Sequence, residues 1–186
     1  MSEAMPLPTL HGERIALRRL TRDDVDALFA VFGDPEVMRF WSTPPHVDRS
    51  EAASLVERID AAVAARTLFQ WGIVPHEVGA VIGTCTLVGI DWSNRRAEIG
   101  FALARAHWRR GYATDALRRV LRYAFDELGL TRLEADVDPR NGASLRTLER
   151  LGFRREGLLR ERWFVAGEVQ DSVILGLLAR EWRAPH

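Results

Sequence analysis

The chain has 186 residues, 47% hydrophobic and 28% charged, which fits one globular domain with a sizeable core. Its 26 basic residues, all arginine, balance 26 acidic ones, and a net charge of zero argues against a protein that coats nucleic acid. A single cysteine excludes an intramolecular disulfide framework, and the five histidines show no metal-ligand spacing, so no metal is expected.

Residues 1–9 read as a loose tail of small or polar residues and prolines. They lack the basic start and apolar stretch of a leader, and no apolar run approaches a membrane span. A cytoplasmic protein with no membrane partner is the expectation. Arg14–Arg18 alternates as a strand. Thr21 caps a helix whose Val25, Leu28, Phe29 and Phe32 line one face. Gly33-Asp34-Pro35 ends it, and Met38–Trp41 leads into a loop holding Pro44-Pro45. A second helix runs from about Ser50 to Arg66. Strands are expected at Leu68–Val74, Val81–Ile90 and, after a turn at Asp91–Asn94, Arg96–Leu103. Cys85, inside the apolar second run, reads as a buried small hydrophobe.

A strongly periodic helix follows over Thr114–Leu128, stopped by Gly129. Arg132–Val137 alternates as a strand, and a short helix, Ala143–Leu151, is closed by Gly152. The last strands, about Arg155–Phe164 and Val169–Leu178, form a hairpin around Ala166-Gly167. No repeat or linker interrupts the chain, so residues 10–183 form one α/β domain.

Trp108-Arg109-Arg110-Gly111-Tyr112-Ala113-Thr114 is the most informative stretch. The first N–H groups of the following helix have no intrahelical partner, and its dipole is positive there. Gly111 lets backbone approach a ligand, and Arg109 and Arg110 add charge, an arrangement suited to a pyrophosphate. The same residues also read as a solvated loop with surface arginines. Neither a P-loop nor a dinucleotide fingerprint is present.

Trp108-x-x-Gly111-Tyr112-Ala113 resembles the acyl-CoA pyrophosphate loop of the GNAT acetyltransferase superfamily, with Trp108 where Gln or Arg is general. An aromatic residue there resembles the branch that acetylates ribosomal-protein N-termini. Asn141-x-x-Ser144 with Leu151-Gly152-Phe153, and Ala97-Glu98-Ile99-Gly100-Phe101, resemble the family's further motifs in order. The resemblance spans about residues 10–183. It implies a mixed, twisted central sheet splayed in the middle, helices on both faces, and acetyl-CoA in the opening.

Carried over by that resemblance, Arg109, Arg110, Gly111, Tyr112, Ala113 and Thr114 bind the donor, with Asn141 beside them. The strand at Gly100 bulges, and backbone of Phe101, Ala102 and Leu103 holds the pantetheine arm and polarises the thioester. Glu98 is the candidate base, with Asp171 and Glu161 as second choices. The tyrosine that protonates the departing thiolate in many relatives is replaced by Leu148, which leaves Ser144 or water. Phe40, Trp41, Trp92 and Asp171 are candidate acceptor contacts, while Trp163 and Trp182 read as packing. Read locally, Glu98 is equally an exposed strand carboxylate, Asn141 a turn former and Ser144 a first-turn hydroxyl.

The implied activity is acetyl transfer from acetyl-CoA to an amine, foremost a peptide or protein N-terminal α-amine. A small amine (amino acid, polyamine or aminoglycoside) is the alternative acceptor. From another class, a silent CoA-binding sensor is the competing reading. No nucleic-acid partner is expected, and a homodimer is compatible with the sequence.

Overall fold

A computed structural model describes residues 7–182. Its first half comprises β1 (Leu10–His11), β2 (Ile15–Arg18), α1 (Val25–Phe32), α2 (Pro35–Met38), α3 (Arg49–Ala64), β3 (Leu68–Pro75) and β4 (Gly83–Asp91). Then come β5 (Arg96–Leu103), α4 (Tyr112–Arg122), β6 (Arg132–Val137), α5 (Gly142–Arg150), β7 (Arg154–Val165) and β8 (Glu168–Leu178). The strands make one sheet in the order β1-β2-β3-β4-β5-β6-β8-β7.

Every neighbouring pair is antiparallel except β5–β6, which is parallel. That pair is short: Arg96, Ala97 and Glu98 face Arg132, Leu133 and Glu134, and the ladder then stops. Beyond Glu98 the two strands part, the splay that the family resemblance implies. Helices cover both faces. Leu28, Val31, Phe32, Val56 and Ile59 of α1 and α3 form one buried cluster. Leu117, Val120 and Leu121 of α4, with Leu145 and Leu148 of α5, join the other. Alternation follows from the strand period: Leu133, Ala135 and Val137 turn to the α4–α5 side, and Glu134 and Asp136 to the opposite face.

Three features differ from the sequence reading. Residues 1–6 and 183 lie outside the described residues, but Leu7 is buried and the Pro8 carbonyl accepts a 2.8 Å hydrogen bond from Trp71 Nε1. The buried indole needs an acceptor, and the supposed tail supplies it. Second, Asp34-Pro35 starts the short helix α2 as well as following α1: Asp34 accepts from the Glu36 N–H at 2.9 Å, and Pro35 occupies the first turn. Third, β5 runs without a bulge at Gly100, in unbroken register from Glu98 against Val88 to Leu103 against Gly83. The irregularity falls between Val88 and Asp91 instead.

Candidate active site

The parting of β5 from β6 leaves strand backbone unpaired. Ala104 N–H donates to the Ile82 carbonyl at 2.9 Å, in the register that sets Leu103 opposite Gly83. Antiparallel pairing alternates, so Ala102 turns its polar groups to β4, and Phe101 and Leu103 turn theirs toward the opening. Trp108 Nε1 takes the Leu103 carbonyl at 2.7 Å. Ala102 also packs its methyl into the α1–α3 cluster. Of the expected pantetheine contacts, Phe101 and Leu103 therefore face the opening and Ala102 does not.

A cleft of about 120 Å³ lies at this opening. Its walls are Phe40 and Trp41 after α2, Gly100 and Phe101 of β5, Asp136 at the end of β6, Asn141, Ser144 and Leu148 of α5, and Trp163, Asp171 and Ser172 of the final hairpin. A Cβ on Gly100 would meet nothing within 4 Å, so the glycine widens the cleft rather than accommodating close backbone. Phe40, Trp41, Phe101, Asn141, Ser144 and Asp171, far apart in sequence, are thus brought together. Trp163, read as packing, belongs to the wall. Trp92 does not: at the β4–β5 turn it donates to the Arg66 carbonyl, lies under the Arg66 guanidinium at 4.5 Å and packs edge-on against Phe69.

Glu98 shares the sheet face of Gly100, two residues before it, and sits opposite Glu134 in the parallel pair. Its side chain keeps solvent contact, yet the surrounding protein displaces water from it. That desolvation, reinforced by the negative charges of Asp136 and Glu134 and opposed by Arg162, holds its pKa above the ordinary glutamate value. Asp136 is the residue the sequence reading missed. Its carboxylate, only 12% exposed, reaches Arg162 Nε at 3.6 Å. Arg162 stands on β7, so only the folded hairpin reveals the pairing. Asp138, also in the wall and buried, is held by Arg140 at 2.6 Å.

The hydroxyls differ in their engagement. Ser172 Oγ is buried in the wall with no hydrogen-bond partner among the described residues, an orphan that a polar ligand would satisfy. Ser144 donates its backbone N–H to Asn141 Oδ1 at 3.2 Å, so Asn141 is the cap of α5. Asp171 Oδ1 accepts the Glu161 N–H at 2.8 Å and so fixes the irregular stretch of β7 where Glu161 has φ 54°. Glu161 itself is exposed and lies outside the wall.

At the start of α4, Gly111 has φ 83° and Arg109 φ 60°, and no side chain caps the helix. Arg109 and Arg110 are exposed. The Tyr112 ring is buried, with its hydroxyl bonded to Glu77, so Tyr112 can offer a ligand only its backbone. Uncapped N–H groups, a left-handed glycine and two arginines without an ion-pair partner among the described residues make an arrangement that a pyrophosphate would fit.

A splayed mixed sheet followed by an uncapped helix start with exposed arginines is the arrangement expected of an acyl-CoA-dependent transferase. Residues 14–154 match the acetyltransferase (GNAT) domain, and the chain belongs to that family. It is 37% identical to p20, an uncharacterised N-acetyltransferase of Bacillus licheniformis, over 95% of this chain and 99% of that one. It is 38% identical to YdaF of Bacillus subtilis, named provisionally as a ribosomal N-acetyltransferase, over 56% of this chain and 57% of that one. The fold superposes with TM-score 0.80 on the Vibrio cholerae spermidine N-acetyltransferase solved with CoA and spermine, at 25% identity, covering 90% of this chain and 97% of that one. The protein is an N-acetyltransferase that takes its acyl group from acetyl-CoA.

Proposed function

We propose that the acceptor is the α-amine of a protein or peptide N-terminus. The charge balance of the cleft carries this reading. Asp136 and Asp138 are already compensated by Arg162 and Arg140. Of the wall carboxylates this leaves Asp171, whose second oxygen has no partner among the described residues, a demand for one ammonium group rather than the several of a polyamine; Glu98 stands on β5 just before the wall. Phe40 and Trp41 provide an aromatic wall for the first side chain of a peptide. The name of the Bacillus subtilis relative agrees with this acceptor, and the spermidine enzymes make a small polyamine the alternative.

Bound acetyl-CoA supplies a thioester carbonyl open to attack and a thiol leaving group. Arg109, Arg110 and the N–H groups of Gly111 to Thr114 hold its phosphates, and the free amides of Phe101 and Leu103 face the thioester arm. Glu98 accepts a proton from the incoming ammonium, directly or through a water. An α-amine with a pKa near ~8 is partly neutral at pH 7, whereas a lysine near ~10.4 is not, so one weak base suits the former. With Leu148 in the position of the usual tyrosine, Ser144 of the cleft wall or a water passes a proton to the departing sulfur. That demand is modest, because a thiol pKa near ~8.5 makes thiolate a tolerable leaving group. Cys85 is no acyl carrier: burial pushes its thiol up to about 12.

The test is a competition among N-terminally free peptides, the same peptides blocked at the α-amine but bearing lysine, and spermidine. The free peptides should be acetylated first. Preference for the lysine side chain or for spermidine rejects the assignment and leaves the family activity standing.

A further inference from the structure

The turn leading into α4 is braced from behind by the β1–β2 connection. Arg14 Nη1 donates to the Arg110 carbonyl oxygen at 2.6 Å. The Arg14 guanidinium carbon also lies 4.9 Å from the centroid of the buried Tyr112 ring. The Arg14 backbone N–H donates to Asp115 Oδ2 at 2.8 Å, which ties the same segment to the first turn of α4.

A trans peptide is planar, so the Arg110 carbonyl and the Gly111 N–H point in opposite directions. By drawing that carbonyl to itself, Arg14 turns the Gly111 N–H outward. Gly111, which supplies the N–H of this peptide, has φ 83°, and Arg109, one residue before the peptide, has φ 60°. Glycine is free to adopt other conformations, so without a tether this peptide unit is able to flip. The stacked tyrosine, itself anchored by Glu77, fixes the guanidinium plane.

We infer that Arg14 is a positioning residue for the acyl donor: it presets the Gly111 N–H that receives the pyrophosphate. This rests on acetyl-CoA as donor and is independent of which amine is acetylated.

The experiment is calorimetric titration of CoA into wild type, Arg14→Ala and Arg14→Lys, with the KM of acetyl-CoA and of phosphate-free S-acetylpantetheine measured alongside. Loss of a charge-assisted hydrogen bond should weaken CoA binding about tenfold in Arg14→Ala. The KM of acetyl-CoA should rise in parallel while kcat changes little. Arg14→Lys, which keeps a charged donor, should recover most of the affinity. The loss toward S-acetylpantetheine should be far smaller, because that donor has no pyrophosphate to position. Equal losses toward both donors would reduce Arg14 to a general structural support, and unchanged CoA affinity in Arg14→Ala would remove the proposed role. The CoA titration needs no acceptor, so its failure is distinct from a failure of the N-terminal assignment.

Discussion

Replacing Glu98 by glutamine should inactivate the enzyme and stabilise it at the same time. The isostere removes the base but keeps the shape. General-base catalysis contributes about 100-fold or more, so turnover should fall by at least that factor while CoA affinity holds. The stability gain follows from the desolvation of Glu98, to which the charges around the site add. Glu98 and Glu134 are paired across adjacent strands, and Asp136 adds a further negative charge. Like charges opposed across strands cost about 0.5 kcal/mol, which in a domain of this size is a Tm rise of about 1–2 °C. The sign is set by the raised pKa: the ionised form is disfavoured in the folded state. The site's contribution to stability is therefore full below the ordinary carboxylate pKa and is lost as pH rises through the raised one. The gain from Glu98→Gln should accordingly be present at pH 7.5 and vanish near pH 4. The assay is CoA thiol release against pH, with thermal melts at both pH values. Near-normal turnover with an unaltered acidic limb would refute the reasoning and move the role to Asp171 or solvent.

Asp136→Asn should shift the acidic limb of kcat/KM to lower pH, because it removes a charge that raises the Glu98 pKa and frees Arg162 to lower it; an unmoved limb would uncouple the two carboxylates. Arg109→Ala with Arg110→Ala should weaken CoA binding, with a smaller difference at high salt, as calorimetry at two ionic strengths would show. Gly111→Ala places a Cβ at φ 83° and should cost about 1–2 kcal/mol, read as a lower Tm together with poorer CoA affinity. Ser144→Ala should slow single-turnover transfer modestly, and equal rates would reject it as the proton donor.

The regular elements were legible because their periodicity survives in the sequence. The apolar face of α4 and the alternation of β6 each declare a single conformation. The family motifs that begin at Ala97 and at Asn141 carried Gly100, Phe101, Asn141 and Ser144 into the cleft wall. What stayed hidden depends on partners distant in the chain. Alternation places Glu134 and Asp136 on one face of β6, but the parallel pairing that brings Glu98 beside them is tertiary. Trp92 and Trp41 are both aromatic residues in loops, and only the fold puts one beneath Arg66 and the other in the cleft. Ala102 and Phe101 are likewise separated by the alternation of β5, which an expected bulge at Gly100 had obscured. The Asp34-Pro35 pair did carry a local signal for α2, an N-cap followed by proline, alongside the helix stop it also supplies.

The most direct test of the site is a crystal structure with CoA and an N-terminally free peptide. The pyrophosphate should lie at the amides of Gly111 to Thr114, with the thiol end entering between β5 and β6. The peptide α-amine should then lie within about 3 Å of the Glu98 carboxylate or of a water bound to it. A CoA bound outside the β5–β6 opening, or an α-amine with neither contact to Glu98, would contradict this arrangement.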